Sequence, residues 1–214
     1  MKRKIYVVGE ATNYMNWMQG ELVEDMKDAN LVLFTGGEDV SPELYNSPKH
    51  HTTSCSPMRD MHEVKEYNKA KALNKPCCGI CRGAQFLCVM SGGKLIQHQE
   101  HPGQKHDLHT KDGKTIRVTS SHHQAQLPFN LPQEEYTILG WTENLLAFHK
   151  DGNNDEVNPE VECEDVMYHK ANNLGIQSHP EWCFPPSSPS EIVMIDYYQT
   201  LLDKFLNKEL CVKK

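Results

Sequence analysis

The chain has 214 residues, 38% of them hydrophobic, and a formal net charge of -7. That length supports one domain with a full core. The acidic balance argues against a nucleic-acid partner held on a broad basic surface, and no apolar run reaches the length of a membrane span. Eight cysteines are many, but disulfide scaffolds are short and loop-rich, so a reducing, cytoplasmic setting is expected. The basic N-terminus leads straight into an apolar run too short for a secretory segment.

In chain order, residues 5–8 read as the first strand, 20–27 as a short amphipathic helix and 31–34 as a buried strand. Gly36 and Gly37 follow, able to bring bare N–H groups close to a carbonyl oxygen. Residues 60–73 read as a helix with charge on one face. Lys75-Pro76-Cys77-Cys78 then enters Gly79-Ile80-Cys81-Arg82-Gly83, a G-x-C-x-G pattern. Residues 86–90 continue as an apolar run of helical length, stopped by Ser91-Gly92-Gly93. Residues 115–119 and 136–139 are β-rich. Residues 151–164 are acidic and Asn-rich and read as an excursion outside the core. Residues 175–178 form a short strand ending in His179-Pro180-Glu181. Ser188-Pro189-Ser190-Glu191 is a capping box that opens a last helix, with Ile192, Ile195, Leu202, Phe205 and Leu206 toward the core. Strands alternating with helices, with glycines at strand ends, predict an α/β fold. Its central sheet is mostly parallel with helices on both faces, in a single domain over 1–214.

Strand, sharp turn and helix around Cys81 make a nucleophile elbow: the glycines let the backbone turn tightly and the thiol projects from the apex. The helix that starts there aims N–H groups and partial positive charge at the sulfur, which favours the thiolate. It also places the Arg82 N–H to receive an oxyanion. His179 supplies a base, and Pro180 is expected to hold the chain extended so that Glu181 reaches the same imidazole. Gln85 lies one turn beyond Cys81 on the same helical face. Cys78 and Cys81 also form a C-x-x-C, but Cys78 falls in the incoming strand, where a redox pair would not place it. The run His98, His101, His106 and His109 has spacings that admit a metal. It is interrupted by Pro102-Gly103 and lacks a cysteine pair, so a solvated loop and no metal are expected. Asp39 is expected to cap the turn after Gly37, and Arg59 with Asp60 to form a structural ion pair.

These pieces resemble the class I glutamine amidotransferase superfamily, through Thr35-Gly36-Gly37, Gly79 to Gln85 and His179-Pro180-Glu181. Further segments resemble its γ-glutamyl hydrolase branch, peptidase C26. They are Gly36-Gly37-Glu38-Asp39-Val40-Ser41-Pro42-Glu43-Leu44-Tyr45, Arg59-Asp60-Met61-His62-Glu63 and Ser121-His122-His123-Gln124. The resemblance implies a flavodoxin-like fold, Cys81 as nucleophile, His179 as general base and Glu181 as its partner. It implies an oxyanion hole from the Gly37 and Arg82 N–H groups. Gln85 and the backbone around Ser121, His122 and His123 would hold a γ-glutamyl group. The expected chemistry is cofactor-free hydrolysis of a γ-glutamyl amide through a thioester. A glutaminase serving a separate synthetase subunit, a non-catalytic binding protein on the same fold and a homodimer stay open. The chain before Gly36 is shorter than the family's, so a missing or degenerate βα unit is expected there.

Overall fold

The computed structural model describes residues 2–10, 13–99, 105–143 and 149–210. Its first half is β1 (Arg3–Val8), α1 (Tyr14–Met18), β2 (Gly20–Leu22), β3 (Leu31–Phe34), α2 (Pro57–Ala72), β4 (Cys77–Ile80) and α3 (Arg82–Met90). Next come β5 (Lys94–Ile96), β6 (His98–Gln99), β7 (His106–Thr110), β8 (Thr115–Val118), β9 (Ala125–Leu127), β10 (Tyr136–Thr142) and β11 (His149–Lys150). The chain continues through β12 (Glu162–Tyr168), β13 (Asn173–Ile176) and α4 (Pro189–Leu206). Among the described residues no helix is long and apolar enough to cross a membrane.

The period-two rule decides how the layers form. In β3, Leu31 and Leu33 bury against Trp17 and Met18 of α1 and Tyr198, Leu202 and Phe205 of α4. Val32 and Phe34 bury on the other face with Tyr67 of α2 and Phe86 of α3. A strand buried on both faces reads as an unbroken apolar run, which is why 31–34 was legible as a core strand.

The sheet runs β2-β1-β3-β4-β13-β12-β10-β7-β8. The central run from β2 to β13 is parallel, as the α/β expectation requires. β12, β10, β7 and β8 extend it antiparallel. Register places the site. Gly79 pairs with both Phe34 and Gly175, so Gly36-Gly37, Cys81 and His179 all leave neighbouring parallel strands at their C-terminal ends. That is where open α/β sheets bind ligands.

Several expectations are corrected. Residues 20–27 are not a helix: 20–22 form an edge strand along β1, and Asp25 Oδ1 accepts the Lys27 N–H at 2.9 Å, closing a local turn that competes with helix. Leu22, within that stretch, is 52% exposed. The helix of this region is the five-residue α1, followed by the three-residue β2. Ile192, in the first turn of α4, is exposed instead of packed. The acidic excursion ends earlier than expected, because Glu162, Cys163 and Glu164 belong to β12 and are buried.

Candidate active site

Cys81 sits between β4 and α3 with φ 52° and ψ −109°, a backbone state that non-glycine residues rarely adopt. The turn closes because two side chains are absent. A Cβ on Gly79 would lie 2.2 Å from the Gly83 carbonyl, and one on Gly83 would lie 2.1 Å from the Phe34 carbonyl oxygen. The Cys81 N–H donates to Ile176 O at 2.8 Å, and its carbonyl accepts from Ala84 at 2.9 Å, tying the elbow to β13 and into α3. The other strand cysteine, Cys78, is fully buried, and burial pushes its thiol far above the ordinary range. It therefore does not share the Cys81 environment.

His179 and Glu181 come from the turn after β13. Pro180 does not hold an extended segment: Pro180–Cys183 is a short 3-10 helix, and this tighter turn still swings the carboxylate back onto the ring. His179 Nδ1 is 2.6 Å from Glu181 Oε1. The Thr119 hydroxyl accepts the His179 backbone N–H at 2.7 Å, and Trp182 stacks on the imidazole with ring centroids 3.8 Å apart. Burial works to discharge the ring. Hydrogen bonds and charges from Cys81 and Glu181 outweigh it and raise His179 to about 9.

Gly36 packs between the two groups: a Cβ there would lie 3.0 Å from His179 Cε1 and 3.7 Å from Cys81 Cβ. Its N–H donates to the Tyr14 hydroxyl at 3.0 Å. Burial, and then Glu181, raise the Tyr14 hydroxyl, so it stays protonated. Among the described residues the N–H groups of Gly37 and Arg82 donate to no protein acceptor.

Arg82 contributes more than its N–H. Its guanidinium is 1% exposed, bonded to Glu63 and to Asp60 at 2.5 Å. Glu63 also accepts from Arg59 Nε at 2.8 Å, and Arg59 Nη2 donates to Gly36 O at 2.8 Å. This chain of charges joins the helix after the nucleophile to the Gly36-Gly37 loop. It replaces the expected Arg59–Asp60 pair, because each residue has a better-placed partner. Asp39 does not cap the Gly37 turn; its carboxylate accepts the Ser54 N–H at 2.8 Å and contacts His123 Nε2 at 3.1 Å.

A cavity of about 230 Å³ brings together Gly37, Cys81, Gln85, Ser121, His122, His123 and His179, with Asp39, Gln124 and Trp182. Gln85 is 3% exposed, and its amide donates to Gln124 O at 2.9 Å, so it holds the 121–124 wall against α3. His122 is a buried part of that wall. Burial opposes its charge, but Glu164, assisted by Glu162, raises it to about 9. A second cavity, of about 550 Å³, shares Gly37 and Trp182 with the first and opens between Tyr14, His62, Glu63 and Glu181.

The histidine run from 98 to 109 does not gather as a unit. His98 stacks on His50 at 5.2 Å, and His109 bonds Thr115 at 3.2 Å. His106 lies 3.3 Å from Glu164, and His101 lies outside the described residues. Sequence reading missed Tyr14, Thr119 and the role of the Arg59–Glu63–Arg82 chain. Arg59 and Glu63 carried a signal as the ends of the Arg59 to Glu63 segment, and Arg82 as part of the Gly79 to Gln85 segment.

Residues 18–181 match the sequence model of the Peptidase C26 family. Protein NtpR of Enterococcus hirae is 30% identical over 146 residues, 56% of this chain and 61% of that protein. The glutamine amidotransferase-like protein YvdE of Lactococcus lactis is 43% identical over 67 residues, 31% of this chain and 28% of that protein. The chain thus spans less than two thirds of either relative. A solved glutamine amidotransferase from Thermotoga maritima superposes with a TM-score of 0.63, covering 96% of this chain and 99% of that one. At 13% identity that likeness speaks for the fold alone.

Proposed function

The chain belongs to the Peptidase C26 family, and from that premise we propose that it is a cysteine hydrolase cleaving γ-glutamyl amides whose leaving amine is larger than ammonia. The observation that carries this reading is the pair of cavities meeting at Gly37 and Trp182 beside Cys81. The smaller suits a γ-glutamyl group. The larger gives room for a leaving group that ammonia does not need.

In this reading the His179 imidazolium and Cys81 thiolate form the reactive pair. The thiolate attacks the γ-carbonyl, and the oxyanion is received by the N–H groups of Gly37 and Arg82, each donor worth about 10²–10³ in rate. His179 gives its proton to the departing amine as the carbon–nitrogen bond breaks, leaving a γ-glutamyl thioester on Cys81. Water then attacks the thioester, His179 takes a proton from it, and glutamate leaves as the Cys81 thiolate is released beside the His179 imidazolium. Glu181 holds the ring and balances its charge throughout. Tyr14 and Arg59 fix the Gly36-Gly37 loop from its N–H and carbonyl sides.

Glutamate release from a panel of γ-glutamyl amides tests the reading. The expected ranking puts γ-glutamyl amines and peptides above glutamine in kcat/KM. A preference for glutamine alone points to a glutaminase serving a synthetase subunit. No turnover, with γ-glutamyl compounds still bound, points to a binding protein.

A further inference from the structure

Among the described residues no lysine or arginine lines the cavity beside Cys81, and Asp39 is its one carboxylate. Two contacts hold Asp39 in place. The Ser54 N–H donates to Oδ2 at 2.8 Å, and His123 Nε2 stands 3.1 Å from both oxygens. An ionised carboxylate offers about four lone-pair sites, so these contacts leave room for a further donor.

Gln124 lines the same cavity and is fully buried. A chain of hydrogen bonds decides which end of its amide is free. Pro48 O can only accept, so the Gln97 amide nitrogen donates to it, at 2.8 Å. Gln97 Oε1 therefore faces the other way and accepts from the His50 N–H at 2.9 Å and the Thr53 hydroxyl at 3.2 Å. With its proton directed to Gln97, Thr53 Oγ1 accepts from Gln124 Nε2 at 3.1 Å. Gln124 Oε1 is thus left as an acceptor, and it has no donor in the protein. A buried acceptor without a donor is unfavourable, and a ligand that brings one relieves it. Thr53 and Ser54 are consecutive, so one short segment anchors both Gln124 and Asp39. Gln85 is differently placed: its amide nitrogen is already engaged by Gln124 O at 2.9 Å and Gln177 Oε1 at 3.5 Å.

We propose that the Asp39 carboxylate and Gln124 Oε1 are specificity-determining groups that take the α-ammonium of the acyl half of the substrate. An ammonium has three donors and no acceptor, which suits one charged and one neutral acceptor. An acyl chain of the same length without the amino group leaves Gln124 Oε1 unsatisfied and Asp39 without its counter-charge. Sites built to bond an N–H reject such analogues strongly. The inference rests on the hydrolase reading for the identity of the acyl group. Neither side chain is among those that the family resemblance assigns to it.

The test compares γ-glutamyl p-nitroanilide with glutaryl p-nitroanilide on the full chain. The two share a leaving group and differ only in the α-ammonium. The wild type should favour the γ-glutamyl compound by about 10²-fold or more in kcat/KM. Asp39→Asn and Gln124→Leu should each shrink that ratio by about 10-fold or more, chiefly through KM. A role confined to holding the wall would slow both compounds alike and leave the ratio unmoved. Should Asp39→Asn not fold, Gln124→Leu carries the same comparison. A wild-type ratio near one, or a ratio unmoved in the folded variants, overturns the proposal. Failure to cleave either anilide defeats the hydrolase reading instead, and calorimetric titration then decides the proposal by itself. L-glutamate should bind about 10-fold or more tighter than 2-hydroxyglutarate, which carries a hydroxyl in place of the ammonium, and Gln124→Leu should narrow the difference. Equal binding of the two, or no binding of either, overturns it.

Discussion

His179 and Glu181 are joined by a 2.6 Å contact from Nδ1 to Oε1, with both side chains almost wholly out of solvent. Burial alone would strip the ring of its proton, yet Cys81 and Glu181 together raise it from 6.5 to about 9. The imidazolium is the acid that the departing amine requires. The kcat/KM profile should therefore fall on its alkaline side as pH rises through about 9. In Glu181→Gln that limb should move toward 6.5, and the His179 Cε1 proton should show the same displacement by NMR. An unmoved limb would mean that Glu181 does not govern the ring. His179→Asn should lose about 10²–10⁴ in rate, more than Glu181→Gln.

The same shift is a statement about stability. Because the folded-state value is raised above 6.5, the charged ring's contribution is fully present below about pH 6.5 and is lost as pH rises through about 9. The gap in Tm between the wild type and His179→Asn should be widest in mildly acidic solution and close by about pH 10. A gap that widens with rising pH would contradict the assignment.

Gly83→Ala tests the tight turn. Its Cβ would meet the Phe34 carbonyl oxygen at 2.1 Å, and backbone on both sides leaves nothing soft to yield. The loss should be about 3 kcal/mol or more by denaturant unfolding. Gly113 also has positive φ, but a Cβ there meets nothing within 4 Å, so Gly113→Ala should lose only about 1 kcal/mol. Equal losses at the two positions would show that the elbow is not close-packed.

Arg82→Met separates the side chain from the N–H. It would leave Asp60 buried without its cation and Glu63 with Arg59 alone, a loss of about 3–5 kcal/mol. The remaining folded enzyme should also turn over more slowly, because Glu63, no longer held by Arg82, anchors Arg59 less firmly against the Gly36 carbonyl. Unchanged stability and rate would reduce Arg82 to its backbone.

The parts of this molecule that were legible in sequence are those set by short-range rules. The Gly79 and Gly83 spacing, the unbroken apolar run at 31–34 and the Ser188 capping box each declare their geometry within a few residues. What stayed hidden depends on partners far along the chain. Tyr14 meets Gly36 from a different element, and Arg82 meets Asp60 and Glu63 across the gap between two helices. Glu162 and Glu164 looked like part of a solvated acidic stretch because nothing local shows that β12 carries them inside. The reading of 20–27 as helix failed for the opposite reason. Its apolar spacing was real, but pairing with β1 and the Asp25 turn outweighed it.

The central claim is that Cys81 carries the γ-glutamyl group as a thioester, and trapping that intermediate tests it most directly. The protein is mixed with a γ-glutamyl amide, quenched in acid within the first turnovers and digested, and the peptides are weighed. The account predicts one γ-glutamyl group on the peptide that holds Cys81. In Cys81→Ala, folded with near wild-type Tm, both the adduct and glutamate release should be absent. Glutamate release that continues in Cys81→Ala, or an adduct on another residue, would contradict it.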